Sequence, residues 1–348
     1  MQPAWHSHSG PGEATADALV LTHRTGSVLI EELASGRRRV RVTPADRTAY
    51  VPNTQWTTAY PVDLVQEILD VKGTAWLCDE IMRDEDPGYV EACLGVDLRA
   101  YFGAGEPREG RVLDFGCGCG ASTAVLARLL PDSEIVGVEL LDRALSVAAR
   151  RVAHHRLGNV RLFRSPNGSQ LPPGIGRFDL VLLSGVFEHF LPSERRALMP
   201  QIWKLVRPGG TLFIDRVPNR SFPLELHTTR LPLINYLPAP LALRAARTFS
   251  GRVPRTMSWE ELLRAGVRGA TVKEIVRLLP EADGRPVILR PQHGGISDQV
   301  DLWYRGSRPR DGRLPGAART AMKALRVVTG LSLVPYLTVA VRKRPSTR

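Results

Sequence analysis

Two periodicities alternate through the middle of the chain. Arg111–Asp114, Ser133–Glu139, Val160–Phe163, Phe178–Ser184 and Thr211–Ile214 are short runs rich in Val, Leu, Ile and Phe. Such runs read as strands buried on both faces. Between them, Ser122–Leu130, Ala144–His154 and Ser193–Leu205 place apolar residues at helical spacing. Strands that alternate with helices predict a mostly parallel α/β sheet.

The flanks read differently. Residues 1–20 are rich in Gly, Pro, Ser and His and are expected to be disordered. Ser27–Leu33 and Arg38–Val42 bracket an Ala-Ser-Gly turn and predict a hairpin. Val62–Asp70, Ala75–Met82 and Tyr89–Phe102 read as helices preceding the first core strand. Beyond the core, Leu241–Phe249, Ser258–Arg264 and Thr271–Leu279 are further helices, and Ser258 with Glu261 has capping-box spacing. Residues 305–315 read as an Arg-, Gly- and Pro-rich linker, and Ala317–Val328 as a basic amphipathic helix. Val300–Tyr304 and Tyr336–Arg342 are assigned as two closing strands.

The chemistry centres on Asp114-Phe-Gly-Cys-Gly-Cys-Gly120. A strand ends at Asp114, three glycines form a turn, and a helix begins near Ala121. Strand, glycine loop and helix N-terminus together make a common site for a nucleotide-like ligand in a doubly wound sheet. The second strand ends at Glu139, about twenty residues on, where a carboxylate can accept both hydroxyls of a ribose. A dinucleotide-binding dehydrogenase is the structural alternative. Its third glycine falls three places after the second, whereas Gly120 follows Gly118 by two.

Four motifs in order resemble the class I S-adenosylmethionine-dependent methyltransferases: the glycine loop, Glu139, Phe178-Asp179 with Glu188-His189, and Arg207-Pro-Gly-Gly210. The likeness covers roughly residues 60 to 217. It implies a Rossmann-like, doubly wound α/β fold with a seven-stranded sheet whose last strand is antiparallel. N-terminal helices and a lid after the fifth core strand are added to it. It also implies S-adenosylmethionine as cofactor, held by Asp114, Gly116, Gly118, Gly120, Glu139, Leu140, Ser165, Asn167 and Ser184. Ser165 and Asn167 stand where the family usually has an acid for the adenine amino group. The expected divisions are a disordered N-terminus (1–20), a hairpin and helical cap (21–110), the cofactor-binding core (111–217), an acceptor-side lid (218–297) and closing strands with a basic segment (298–348).

Glu188-His189 matches a pair found in many small-molecule methyltransferases. One quinone-modifying branch adds a Glu three residues before that pair and holds magnesium there. That position is Gly185 in this chain, so no metal is expected. The stretch from Asp215 to Pro238 is long, Pro-rich and polar, then apolar. Long loops in compact domains are usually functional. It carries Glu225, His227 and Thr228, and it resembles a loop of bacterial methyltransferases near cell-surface glycan biosynthesis. His227 or His189 is therefore the expected base, with Glu225 orienting or charge-stabilising one of them, and a sugar or glycan precursor the expected O-methyl acceptor. RNA methylation and a non-catalytic binding module are the competing classes. No Asn-Pro-Pro-Tyr or Asp-Pro-Pro-Tyr motif follows the fourth core strand, so DNA is not an expected partner.

Composition adds bounds. The chain has 348 residues and a formal net charge of +12. Residues 301–348 hold eleven Lys or Arg and two Asp, a net +9, which suggests weak association with an anionic membrane surface. The opening residues lack the basic and apolar regions of a signal peptide, and the four cysteines have no disulfide or metal spacing. A cytoplasmic location is expected, peripheral to the inner face of the membrane if the basic segment meets lipid. The sequence leaves the oligomeric state open.

Overall fold

The computed structural model describes residues 15–47, 49–103, 110–306, 313–329 and 332–345. The chain opens with a four-stranded antiparallel sheet, β1 (Thr15–His23), β2 (Gly26–Leu33), β3 (Arg38–Pro44) and β4 (Gln55–Thr58), in that spatial order. The predicted hairpin is its centre. The expectation of disorder through residue 20 is corrected for Thr15–Val20, which pair with β2; residues 1–14 lie outside the described residues. Helices α1 (Val62–Lys72) and α2 (Thr74–Glu85) follow, then a π turn at Pro87–Glu91 and α3 (Ala92–Phe102). In α1, Leu64, Val65, Ile68 and Leu69 recur at helical spacing and are buried.

The core then alternates as expected: β5 (Gly110–Phe115), α4 (Ala121–Leu129), β6 (Ser133–Glu139), α5 (Asp142–His154), β7 (Val160–Arg164), β8 (Phe178–Ser184), α6 (Pro192–Leu205) and β9 (Val206–Pro218). The Arg207-Pro-Gly-Gly210 turn proves to be an irregularity within β9, where the register against β8 shifts between Phe178 and Leu180. The lid carries α7 (Ala239–Phe249), α8 (Trp259–Arg264) and α9 (Val272–Arg277). Ser258 and Glu261 form the predicted reciprocal cap of α8. Ile234, Ala242, Ala246, Val253, Leu262 and Val267 give the lid a small core of its own. The chain ends with β10 (Arg285–Ile288), α10 (Gln299–Gly306), α11 (Arg313–Thr329) and β11 (Tyr336–Arg344).

The main sheet has seven strands in the order β10-β11-β9-β8-β5-β6-β7, with β11 antiparallel to both neighbours. This is the expected Rossmann-like α/β class. One strand assignment is wrong. Val300–Tyr304 lies in α10, and the partner of β11 is Arg285–Ile288. Val300 and Leu302 are both buried and alternate like a strand, but Asp298 accepts the Asp301 N–H at 2.9 Å and starts a helix there. The true strand is four residues long and contains Pro286, tolerated because β10 is the sheet edge.

Two connections fix where the site lies. The small sheet and α1–α2 share a core with Cys119 of the glycine loop and with Ala144 and Val147 of α5, so the cap packs onto that loop. Arg151 of α5, fully buried, reaches Glu80 at 3.2 Å and Asp84 at 3.6 Å on α2. Tyr60, whose hydroxyl donates to Asp84 at 2.6 Å, and Tyr101 are both buried in the core.

Candidate functional site

The three glycines of the loop have positive φ, and each is required for a different reason. A Cβ at Gly116 would meet Val186 at 2.8 Å, and one at Gly120 would meet Ala148 of α5 at 2.8 Å. Those two set close packing. A Cβ at Gly118 would meet nothing within 4 Å. Gly118 is thus the position where added atoms enter open space, as a ligand cradle requires.

Glu139 sits beside it. Its Oε2 accepts from the Gly118 N–H at 2.9 Å, and Oε1 from the Leu140 and Leu141 N–H groups at 2.7 and 3.0 Å. A carboxylate has about four acceptor sites, so three backbone donors leave room for a further hydroxyl. Leu140 and Leu141 are exposed next to it and offer apolar surface to a base. The cradle therefore fits the adenosyl group that the sequence implies, with Gly118 and Glu139 as its polar edge.

The other expected contacts sort unevenly. Asp114 is buried, and its Oδ2 accepts from Ser122 and Thr123 at 2.8 and 2.6 Å, so it braces the start of α4. Ser165 is buried next to Glu139, to whose carbonyl its N–H donates at 2.8 Å. Asn167 is committed to its own turn, accepting from Ser169 N–H and donating to Gln170. Ser184 ends β8 and donates to Asp215 at 3.3 Å.

The second half of the site adjoins the first through Val186, two residues before Glu188. A 3-10 turn at Phe187–His189 follows β8. It buries Glu188, whose Oε2 has no hydrogen-bond partner. Burial pushes that carboxyl up to about 8. His189 Nδ1 lies 2.7 Å from the Arg264 carbonyl. A carbonyl can only accept, so the proton is on Nδ1 and the Nε2 lone pair is free. Burial also lowers the His189 pKa. His227 comes from the lid, and burial pulls it down to about 4. The two imidazole centroids are 5.8 Å apart. One ligand atom from each of Glu188, His189 and His227 lies within 4.8 Å of the others.

The sequence leads one to expect Glu225 to orient or charge-stabilise one of the histidines, and its charge does act on His227, partly opposing the effect of burial, but its hydrogen bonds go elsewhere. Its Oε1 instead accepts the backbone N–H groups of His227 and Thr228 at 2.7 and 2.8 Å, and Oε2 accepts from Thr229 N–H and hydroxyl. All four acceptor sites are used within its own turn, so Glu225 positions the backbone of His227. Sequence reasoning also passed over the end of α8. Thr228 donates its hydroxyl to the Ala265 carbonyl at 2.8 Å, and Gly266, at φ +94°, packs against His227, where a Cβ would lie 2.6 Å from its ring. Nothing in Arg264-Ala-Gly266 signals this, because its role is to present backbone.

The basic segment is paired within the chain. Arg319 reaches Asp301 at 2.5 Å, Lys323 reaches Asp301 at 2.7 Å and Arg326 reaches Asp298 at 2.7 Å. The face expected to meet anionic lipid therefore packs on α10. Among the described residues, no helix is long and apolar enough to cross a membrane.

Residues 113–212 match the family described as a methyltransferase domain. The ubiquinone biosynthesis O-methyltransferase of Rhizobium etli is 31% identical over 161 residues, 45% of this chain and 56% of that protein. The trans-aconitate 2-methyltransferase of Deinococcus radiodurans is 36% identical over 111 residues, 32% of this chain and 39% of that protein. The chain thus spans about half the length of the curated relatives it matches. Among solved structures, an O-methyltransferase family protein from Burkholderia thailandensis aligns at 17% identity and TM-score 0.41, over 78% of this chain and 60% of that one. The matched segment contains the glycine loop, Glu139 and the β8 turn in order, so residues 113–212 of this chain are similar to a methyltransferase domain.

Proposed function

We propose that this chain methylates an oxygen of a small polar acceptor, such as a sugar or glycan precursor, bound where Glu188, His189 and His227 converge. S-adenosylmethionine supplies an electrophilic methyl group on a sulfonium that leaves as a neutral thioether. The chain's own contribution is to hold the acceptor in line and to take its proton. Gly118 and Glu139 would hold the donor, with Leu140 and Ser165 alongside.

The observation that carries the acceptor's place is the meeting of two uncharged imidazoles with a buried, unpartnered carboxyl oxygen beside the glycine loop. His189 is the better-defined base, since the Arg264 carbonyl fixes its tautomer and leaves Nε2 to receive a proton. His227, expected from the sequence as the first choice, stands beside it. The R. etli relative is itself named for O-methylation. RNA as acceptor is less well supported, because Arg319, Lys323 and Arg326 are spent on Asp298 and Asp301.

The test is a turnover screen with labelled S-adenosylmethionine against nucleotide sugars, glycolipids and RNA. Label should enter a hydroxyl of a sugar acceptor. His189→Ala should cost about 10²–10⁴ in rate with donor affinity intact. Transfer to RNA alone contradicts the reading.

A further inference from the structure

We propose that Glu188, His189 and His227 form a binding site for a divalent transition-metal cation. Two neutral imidazoles and one carboxylate are a donor set that suits zinc and its neighbours, and three protein ligands leave a position for an exogenous oxygen. The ligand atoms already lie within 4.8 Å of one another. Tetrahedral bonds of about 2.0–2.2 Å would put them about 3.4 Å apart. Loading therefore draws the trio together by up to about 1.4 Å, a side-chain adjustment.

Three independent features point to a cation. First, Glu188 is 1% exposed and its Oε2 has no hydrogen-bond partner. A buried carboxyl oxygen left unpaired is costly, and a bound cation would satisfy it. Second, His189 donates Nδ1–H to the Arg264 carbonyl. That is the outer contact by which metal-binding histidines are usually oriented, with Nε2 left for the metal. Third, His227 arrives on a turn over-determined by its surroundings: Glu225 accepts its backbone N–H, Thr228 is tied to Ala265, and Gly266 packs on its ring. Such bracing suits a ligand that must be held in place. The absence of an acid at position 185, which argued against a metal on sequence grounds, is offset by a lid residue far away in the chain.

The inference rests on the proposed acceptor site in one respect. An oxygen-bearing acceptor is the class of ligand that would complete the coordination, and the cation would fix it beside the donor. With Nε2 of His189 engaged by the cation, that residue acts as base only in the unloaded chain. In the loaded chain the cation would acidify the bound hydroxyl, whose proton passes to solvent. Metal binding itself can be measured without any acceptor.

The full chain is stripped with a chelator, returned to chelator-free buffer and titrated calorimetrically with zinc chloride. The expected result is one equivalent bound by wild type, and binding at least a hundredfold weaker in Glu188→Gln and in His227→Gln. His293→Gln, outside the corner, should bind as wild type does. Cobalt(II) provides a variant-free measurement. Its visible d–d bands should appear without a thiolate charge-transfer band. No zinc binding, binding indifferent to both corner variants, or a thiolate band placing the metal on cysteine overturns the proposal. The same stripped samples are titrated with S-adenosylmethionine. Donor binding without zinc binding removes the metal site alone, whereas zinc binding without donor binding removes the methyltransferase reading and leaves the metal site.

Discussion

Glu139 accepts a hydrogen bond from the backbone N–H of Gly118 at 2.9 Å, joining the acid that ends β6 to the open point of the glycine loop. The sequence motif treats these residues as separate ligand contacts. The structure makes them one unit, in which the carboxylate shapes the cradle before any ligand arrives.

The three loop glycines should therefore fail differently. Gly116→Ala and Gly120→Ala force contacts of 2.8 Å with Val186 and Ala148, and should lower stability by about 1–3 kcal/mol in denaturant titrations. Gly118→Ala meets open space and should cost only about 1 kcal/mol for its backbone conformation. It should nevertheless abolish donor binding. Equal stability losses across all three would show that Gly118 is not facing a ligand space.

Gly266→Ala tests the lid's support of the histidine corner. Its Cβ would lie 2.6 Å from His227 Cδ2 and 3.3 Å from Glu188 Cγ. Turnover should fall at least tenfold while affinity for S-adenosylmethionine changes less than twofold, because the glycine loop is untouched. A loss of donor affinity would mean the two halves of the site are not separable.

The C-terminal segment should behave as a structural clamp. Burial opposes ionisation of Asp301, yet hydrogen bonds from Lys323, Ser297 and Arg319 hold its carboxyl below the usual range. A depressed folded value stabilises above the ordinary pKa of about 3.9 and is lost as pH falls through the depressed value. Neutralising Arg319, Lys323 and Arg326 together should cost about 1–3 kcal/mol near pH 7, since each is roughly a third or more exposed. The difference from wild type should shrink as the medium is acidified below about pH 4. Unchanged stability together with loss of binding to anionic vesicles would restore the lipid reading.

The cap is held to the core by a buried pair, Arg151 with Asp84. Asp84→Asn should cost about 3–5 kcal/mol, because it removes one of the two carboxylates, Glu80 at 3.2 Å and Asp84 at 3.6 Å, that compensate the buried Arg151 guanidinium. Thermal melting reads this directly. A loss under 1 kcal/mol would mean that Glu80 alone compensates Arg151.

The core was legible because β5, β6 and β8 are short, mainly apolar segments alternating with helical patterns, and because an acid stands about twenty residues past the glycine loop, where the resemblance expects one. The strand at Arg285–Ile288 was not, since four residues including a proline carry almost no periodic signal. Val300 and Leu302 misled for the opposite reason: two buried residues two apart fit a strand as well as one helical turn. In the site, His189 and His227 were both named from the sequence, but their meeting depends on lid packing. The hydrogen bonds of Glu225 were misread because a carboxylate near a histidine in sequence is equally able to bind that residue's backbone. Gly266 could not be found at all from one chain, as its function is to lack a side chain.

The methyl transfer proposed for this chain depends on S-adenosylmethionine binding in the cradle of Gly118 and Glu139, which calorimetric titration of the full chain reads without any acceptor. Wild type should show one site, and Glu139→Ala, folded by circular dichroism, affinity weakened by about 1.5–3 kcal/mol, roughly ten- to a hundredfold. A wild-type chain that takes up no S-adenosylmethionine, or a Glu139→Ala chain that binds it as tightly as wild type, would rule out this role for the cradle.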